Sequence, residues 1–261
     1  MDGEGGYGTA LAAAVCNGSV DMESLLLERG ADINMVVSEY GTALAMAMYK
    51  GDANMVSLLI DQGADINMVG GQYGTALAVA VQNKSMDIVS LLLDRGADVN
   101  AMVGKYGTAL AVAVYDGGAD MVSLLLDRGA DINMVGGEYG TALCTAVYHG
   151  NADMVSMLLD RGAHINILEG ECYGTELAVA VYSGSMDVVS LLLDRGASIN
   201  AVDGEYGTAL AAAVYNGNAD MVSLLLVDQG ADINMVWTVA LSLSNGLSRG
   251  SNMHKCWMKH G

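Results

Sequence analysis

The chain has 261 residues, enough for one or two domains, and its composition excludes several classes of protein. It is 52% hydrophobic and contains 34 glycines but neither proline nor phenylalanine. This composition excludes a disordered chain, a collagen helix and polyproline structure. The formal net charge is −19, from 11 basic and 30 acidic residues. Because such a chain repels a phosphate backbone, we expect no nucleic acid partner.

The sequence also indicates where the protein resides. No apolar run approaches the roughly 18 residues of a membrane helix, so we expect no membrane partner. The start, Met1 to Glu4, is acidic, and no Lys or Arg precedes Arg29, which is unlike a secretory signal. The four cysteines, Cys16, Cys144, Cys172 and Cys256, form no ligand spacing. These features predict an intracellular protein, cytoplasmic or nuclear, with reduced thiols.

An internal repeat of 33 residues determines the predicted organisation. The tripeptide Tyr-Gly-Thr recurs at a spacing of 33 residues, with one spacing of 34, starting at Tyr7, Tyr40, Tyr73, Tyr106, Tyr139, Tyr173 and Tyr206. These starts predict seven repeats over residues 7–236. A short lead, residues 1–6, precedes them, and a basic tail, residues 237–261, follows.

Each repeat predicts two helices and a loop, as in the copy that begins at Tyr106. Thr108 is a suitable N-cap for a short Ala/Leu/Val helix that ends near Gly117. Asp120 opens a second, leucine-rich helix, which stops at residues 127–129 with an arginine and a glycine. The rest of the copy is a glycine-punctuated loop.

One such unit is too small to bury its own leucines, so the units must stack. The leucine trios between Leu25 and Leu226 recur at one phase of the repeat and are predicted to pack between neighbours. The two ends differ from the middle. Glu23 replaces the valine of later copies, which predicts a first repeat with a water-facing outer surface, and Val227 is an insertion in the last copy. From Trp237 the tail is either a partial eighth first helix or an unrelated end.

The repeat resembles the ankyrin repeat. The resemblance is carried by residues 108–111, by Gly117, by the leucines at 124–126 and by residues 129–133, and it extends over residues 7–236. The sequence of residues 136–143 is similar to that of ankyrin arrays in filamentous fungi. The resemblance implies an all-α repeat solenoid, an ankyrin-like stack of helix-turn-helix-loop units with β-hairpin-like fingers. The chain departs from the family in two ways. Alanine, or Glu176 in one copy, replaces the proline that the family has at the first position of the first helix. A glycine in the loop tip lies one place later than usual, so the geometry of the tip stays open.

Comparison of the copies with one another shows two variable positions that packing does not require. The first is the end of the first helix, where large amphipathic tyrosines are suited to contact a partner, or merely stack on one another. The ankyrin resemblance implies partner contacts there. These residues are Tyr49, Lys50, Gln82, Tyr115, Asp116, Tyr148, His149, Tyr182 and Tyr215.

The second variable position is the loop tip. Its candidate partner-binding residues are Glu39, Gln72, Lys105, Glu138 and Glu205, and apolar Val36, Val69, Val103, Val135, Leu168 and Val202 lie beside the tips. The apolar residues either pair with the next loop or form a stripe that a partner covers. The acidic tips favour a protein partner with a basic or mixed rim. We expect a monomer rather than an oligomer.

No residue pattern indicates catalysis, a metal or a cofactor. Asp/Asn pairs such as Asp131 and Asn133 recur like calcium ligands, but His164 and Ser198 interrupt the series, so turn formation is the favoured explanation. His149 and His164 lie at different phases of the repeat, and His254, Cys256 and His260 in the tail lack a fourth metal ligand. No phosphate-binding loop is present.

The sequence therefore predicts a non-catalytic protein–protein interaction module. It uses the inner helix face and the finger tips to bind another protein. The alternative is a structural or self-associating repeat segment of a larger multidomain receptor, in which the same residues contact another copy.

Overall fold

The computed structural model describes residues 8–36, 41–70, 74–102, 107–137, 140–165, 175–202 and 207–234. The chain divides into two compact units, Met1–Ala142 and Leu143–Gly261. Within the described residues of each unit, the helices follow one another as pairs, a shorter first helix and a longer second helix, as the repeat predicts.

Four helix pairs make up the first unit. The first helices pack side by side, and each contacts the second helix of its own pair. Their bounds are α1 Ala10–Cys16, α2 Val20–Glu28, α3 Ala43–Lys50, α4 Ala53–Asp61, α5 Ala76–Gln82, α6 Met86–Asp94, α7 Ala109–Tyr115 and α8 Ala119–Asp127.

The second unit has three helix pairs. Its helices are α9 Ala142–Tyr148, α10 Ala152–Asp160, α11 Glu176–Ser183, α12 Met186–Asp194, α13 Ala209–Tyr215 and α14 Ala219–Ser223. The last second helix differs from the others because it continues as a π-helical turn, Leu224–Asp228.

Threonine N-caps start most of the first helices, as predicted for Thr108. The hydroxyl oxygen of Thr108 accepts a hydrogen bond from the amide of Ala111 at 3.2 Å. The same bond starts α1, α3, α5, α11 and α13, with Thr9, Thr42, Thr75, Thr175 and Thr208. Each bond satisfies one backbone donor that has no partner inside the helix.

The core lies between the two helices of each pair. Every residue of α7 except its terminal Tyr115 is buried. In α8 only Met121, Val122 and Leu125 are buried, so the central leucine of the trio belongs to the core and the flanking leucines are half-buried. The second helix is therefore amphipathic, and Met121, Val122 and Leu125 form its buried side.

The prediction that Glu23 faces water is wrong. Glu23 is buried, with 0% of its surface exposed, at the place where Val56 and Val89 are buried in later copies. Its Oε2 accepts a hydrogen bond from the Ser24 hydroxyl at 3.3 Å, and its Oε1 is buried without a hydrogen-bond partner. Burial raises the pKa of this carboxyl above its ordinary 4.5, and the Ser24 bond opposes the rise.

The Asp/Asn pairs tie each repeat to the next, within its own unit. The Asp65 carboxylate accepts from the amide of Asn67 at 2.9 Å, and the Asn67 side-chain oxygen accepts from the amide of Asp98 at 2.8 Å. The same link joins Asn34 to Asp65, Asn100 to Asp131 and Asn200 to Asp232. These bonds are the turn interactions that the Asx residues predict, with an added connection between copies that was not predicted.

Arginine–aspartate ion pairs form a second connection between adjacent copies. Arg95 pairs with Asp61 at 2.7 Å and Arg128 with Asp94 at 2.8 Å in the first unit, and Arg195 pairs with Asp160 at 2.8 Å in the second. In each pair the arginine follows one second helix and the aspartate ends the second helix of the preceding copy. The partners are about one third to two thirds exposed, so each pair contributes little, about 0.2–1 kcal/mol.

The residues that flank two of the loop tips are bridged to each other, as in a hairpin. In two copies the loop is closed by a hydrogen bond of 2.9 Å, from the amide of Gly70 to the carbonyl of Gly74 and from Gly136 to Gly140. The late glycine adopts a positive φ, for example +86° at Gly107. Side chains rarely adopt this conformation, and the loop-tip geometry that the sequence left open lies outside the described residues.

The insertion of Val227 is absorbed by the π-helical turn. The amide of Ala231 bonds to the carbonyl of Leu225, one residue further back than in the regular pair Ala197 and Leu192. Val227 is exposed, whereas Leu225 stays fully buried. The bond from the Asp232 amide to Asn200 is kept at 2.9 Å, so the extra residue does not disturb the contact with the preceding copy.

Deleting Val227 is therefore expected to stabilise the protein by about 0.5–2 kcal/mol, because a rare π-turn becomes a regular helical turn with the same buried leucine. Urea unfolding measures the change. Val227→Ala, which keeps the chain length, serves as the control and should leave the midpoint unchanged. A deletion variant no more stable than this control would contradict the explanation.

Candidate functional site: a tyrosine-bearing face

Between the first and the last repeat, the first helices expose little except their last residues. In the first unit, Tyr49 and Tyr115 are 49% and 41% exposed, and Gln82 at the same position is half-buried. The residues after the tyrosines are the exposed Lys50 and the half-buried Asp116. The structure therefore places the predicted residues of this unit at equivalent ends of α3, α5 and α7.

In the second unit the same position carries Tyr148, Tyr182 and Tyr215. Tyr215 is 72% exposed, and the other two are half-buried. The ring of Tyr148 contacts the ring of His149 edge to face, with centroids 5.3 Å apart. Nδ1 of His149 donates to the carbonyl oxygen of Thr145 at 2.8 Å, which fixes the orientation of the imidazole. Tyrosines in this environment present large, rigid contact surfaces.

Asparagines at the ends of two first helices hold neighbouring copies together beneath this face. The side-chain amide of Asn83 donates to the carbonyl of Met48 at 2.9 Å, and that of Asn216 donates to the carbonyl of Tyr182 at 3.1 Å. Each bond crosses from one copy to the preceding one. The asparagines therefore fix the spacing of the tyrosine-bearing ends within each unit.

Asp116 occupies the position of Asn83 in its own repeat, but its side chain cannot make the same hydrogen bond. Its backbone, with φ −78° and ψ −3°, matches that of Asn83, but an ionised carboxylate cannot donate to a carbonyl oxygen. Oδ2 of Asp116 is buried without a hydrogen-bond partner. Burial raises the pKa of this carboxyl above its ordinary 3.8, and the positive charge of Lys84 partly opposes the rise.

Asp116→Asn is expected to stabilise the protein by about 1 kcal/mol, because a carboxamide at this position gains the bond that Asn83 makes. The native folded state binds a proton at Asp116 more tightly than the unfolded state does. The stability gap between variant and native protein should therefore narrow as the pH falls from 7 towards 3.8. Thermal unfolding at several pH values measures this, and Asn83→Asp should lose the stability that Asp116→Asn gains. A pH-independent gap would contradict the explanation.

Lys84 was not identified as a candidate site residue. It has a φ of +58°, the only positive value at a non-glycine among the described residues. Six other copies carry glycine at this position. That contrast was visible in the sequence and marks a lysine held in an unfavoured conformation, where its charge acts on Asp116 of the next copy.

The predicted tip residues Glu39, Gln72, Lys105, Glu138 and Glu205 lie outside the described residues, as do Val103 and Leu168. The described loops show apolar side chains beside the tips, and Met102, the neighbour of Val103, is exposed. Val36 is exposed, yet one of its methyl groups lies only 3.0 Å from the place that a Cβ atom would take if Gly70, in the next loop, carried a side chain. The next loop thus covers part of this stripe and leaves the rest exposed. The exposed members are Met35, Val36, Val69, Met102 and Val202.

Among the described residues, no three His, Cys, Asp or Glu side chains form a group that could hold a metal ion. The Asp carboxylates of the turns accept backbone hydrogen bonds instead. None of the described helices is both long and apolar enough to cross a membrane.

Comparisons with known proteins agree with this architecture. A sequence model described as "Ankyrin repeats (3 copies)" matches residues 11–103 and 103–169, and one described as "Ankyrin repeats (many copies)" matches residues 177–226. The chain therefore belongs to the ankyrin repeat family, and its fold is the all-α ankyrin solenoid. Ankyrin repeats are generally protein–protein interaction modules and typically non-catalytic.

Among solved structures, the chain is similar to the ankyrin repeat domain of Bcl-3, described as a member of the IκB protein family. The two share 28% sequence identity with a TM-score of 0.70, and the match covers 87% of this chain and 99% of that domain. A comparison with curated protein sequences gives no match.

Proposed function

We propose that the chain binds a protein partner through the tyrosine-bearing ends of its first helices and through its loop tips, and that it catalyses no reaction. The observation that carries this proposal is the exposure of Tyr49, Tyr115 and Tyr215 on helices whose other residues are largely buried. Exposed tyrosines contribute strongly to binding because they bury a large area at low entropic cost.

The charge of the chain defines the kind of partner. With a net charge of −19, the protein attracts a partner with a basic or mixed rim, and long-range attraction speeds the encounter. We place this binding inside the cell, in the cytoplasm or the nucleus. The similarity to an ankyrin repeat domain of the IκB family supports the general role but not a particular partner.

The proposal is tested by affinity capture with the wild type and with the triple variant Tyr115→Ala, Tyr148→Ala, Tyr182→Ala. Loss of the tyrosines is expected to lower affinity for a captured partner by at least about tenfold. Val20→Ala, Met86→Ala, Met186→Ala is a matched control, since these exposed apolar residues lie at the starts of second helices. Identical captured sets from wild type and tyrosine variant would reject the site.

Salt provides an independent measurement on the captured complex. Raising the salt concentration is expected to slow association and weaken binding, because screening removes the attraction between the acidic chain and a basic rim. Unchanged kinetics would reject the basic rim while leaving the tyrosine face in place. The alternative, self-association through the tyrosines, predicts a concentration-dependent oligomer in light scattering that the triple tyrosine variant abolishes.

A further inference from the structure

The first repeat exposes a surface that is buried in every later repeat. Met22 is 61% exposed, whereas the corresponding Met55, Met121 and Met221 are at most 5% exposed. Met221 is buried although it belongs to the last repeat. In the later copies the position is therefore covered by the preceding repeat, and the described residues include no repeat before the first. Leu25 and Ala10 belong to the same exposed surface, which we call the leading face.

The last repeat exposes the opposite surface. Val214 is 61% exposed, whereas the corresponding Val15, Val81 and Val114 are buried. Val15 is buried although it belongs to the first repeat, so this position is covered by the following repeat. Ala211 is exposed beside Val214, and the two form what we call the trailing face.

The leading and trailing faces are the two halves of one type of contact. Within each unit, successive first helices pack together, as α3 does with α5 and α11 with α13. Each of these junctions buries the trailing side of one repeat against the leading side of the next. The first and last described repeats carry the same two surfaces exposed, so these surfaces are complementary.

Polar groups at the two ends match in the same way. At internal junctions an arginine after one second helix pairs with the aspartate ending the preceding second helix, as Arg95 does with Asp61. Arg29 stands at that arginine position in the first repeat, and Asp228 at that aspartate position in the last. Likewise Asn234 bonds to Asp232 as Asn67 bonds to Asp65, and Asp32 in the first repeat forms the same turn with Asn34.

We propose that copies of this chain associate head to tail, with the trailing face of one copy against the leading face of the next. The contact repeats the internal junction: Val214 of one copy packs near Met22 of another, and Asp228 pairs with Arg29. Such an interface joins two different surfaces, so it extends to chains of several copies rather than closing as a symmetric dimer. This differs from the expected monomer and does not depend on the proposed partner.

Sedimentation equilibrium of the full chain tests the proposal, from about 10 µM to about 1 mM protein. The weight-average mass is expected to rise continuously with concentration above that of one chain. High salt should favour the rise, because each copy carries −19 charges and salt screens their repulsion. This salt effect is opposite to that expected for a basic partner, so the two proposals fail separately. A single-chain mass at every concentration would overturn this one.

Variants of the two faces make the test specific. Met22→Lys and Val214→Lys change exposed side chains, and each is expected to weaken association about tenfold or more. A mixture of the two variants retains one intact leading face and one intact trailing face, so it should form 1:1 dimers and nothing larger. Association that both variants leave unchanged, or a mixture that stays monomeric, would overturn the proposal.

Two controls separate this contact from other surfaces. Met102→Lys alters another exposed apolar residue, which is 46% exposed and lies on a loop, and should leave association unchanged. The triple tyrosine variant should also associate as the wild type does. Arg29→Asp weakens association, and the double variant Arg29→Asp, Asp228→Arg restores it, because the reversed charges again pair across the junction. Absence of this rescue would overturn the assigned register.

Discussion

Replacing Gly107 by alanine is expected to destabilise the protein by about 2–4 kcal/mol. Gly107 has a φ of +86°, and a methyl group there would lie 2.6 Å from the carbonyl carbon and oxygen of Gly136. The obstacle is backbone of the next loop, which has no rotamer to change. The alanine therefore adds conformational strain and forces the two loops apart.

Gly117→Ala separates these two effects. Gly117 has a similar φ of +70°, but nothing lies within 4 Å of the position of its side chain. It should lose only about 1–2 kcal/mol, from strain alone. Urea unfolding of both variants measures the difference. Equal losses would show that the close approach of the loops at Gly107 contributes nothing.

Glu23→Val is expected to stabilise the protein by about 1–3 kcal/mol, because it removes a buried carboxyl oxygen that has no hydrogen-bond partner. Valine fits the position, since Val56 and Val89 occupy it in later copies and are buried. Because burial raises the folded-state pKa of Glu23, the native protein loses stability as the pH rises through that pKa. The advantage of valine should thus be largest at neutral pH and shrink towards pH 4.5.

Two further variants control for charge. Asp21→Asn removes a negative charge from an exposed position of the same helix and should change stability little, although the chain as a whole is acidic. Glu23→Gln removes the charge but keeps a polar group, and should fall between the native protein and Glu23→Val. Thermal unfolding at pH 5 and at about pH 7 compares all four proteins. A gain from Asp21→Asn equal to that from Glu23→Val would contradict the local explanation.

Much of the architecture follows from the sequence because the seven copies of the repeat can be compared with one another. The threonine caps, the paired helices and the Asx turns each rest on local chemistry that a single copy specifies, and the structure confirms them at Thr108 and at Asp131. The positions of the tyrosines also follow, because residues that vary among otherwise similar copies are those that packing leaves unconstrained.

Contacts between copies could not be derived in this way. The pairing of Arg95 with Asp61 depends on residues 34 apart and on the packing angle of neighbouring helices. The position of Glu23 was misjudged because the end of a solenoid was assumed to expose this side of the helix. The structure exposes Met22 instead, one residue away in the sequence and on a different side of the helix. The partner-binding role of the tyrosines stays a proposal.

The π-helical turn at Leu224–Asp228 shows where the structure accommodates an inserted residue. One additional residue, Val227, has altered the backbone of one helix, whereas the hydrogen bond between Asn200 and the amide of Asp232 is still formed. A residue inserted near the end of a second helix is thus accommodated within one module, without loss of the link to the preceding module.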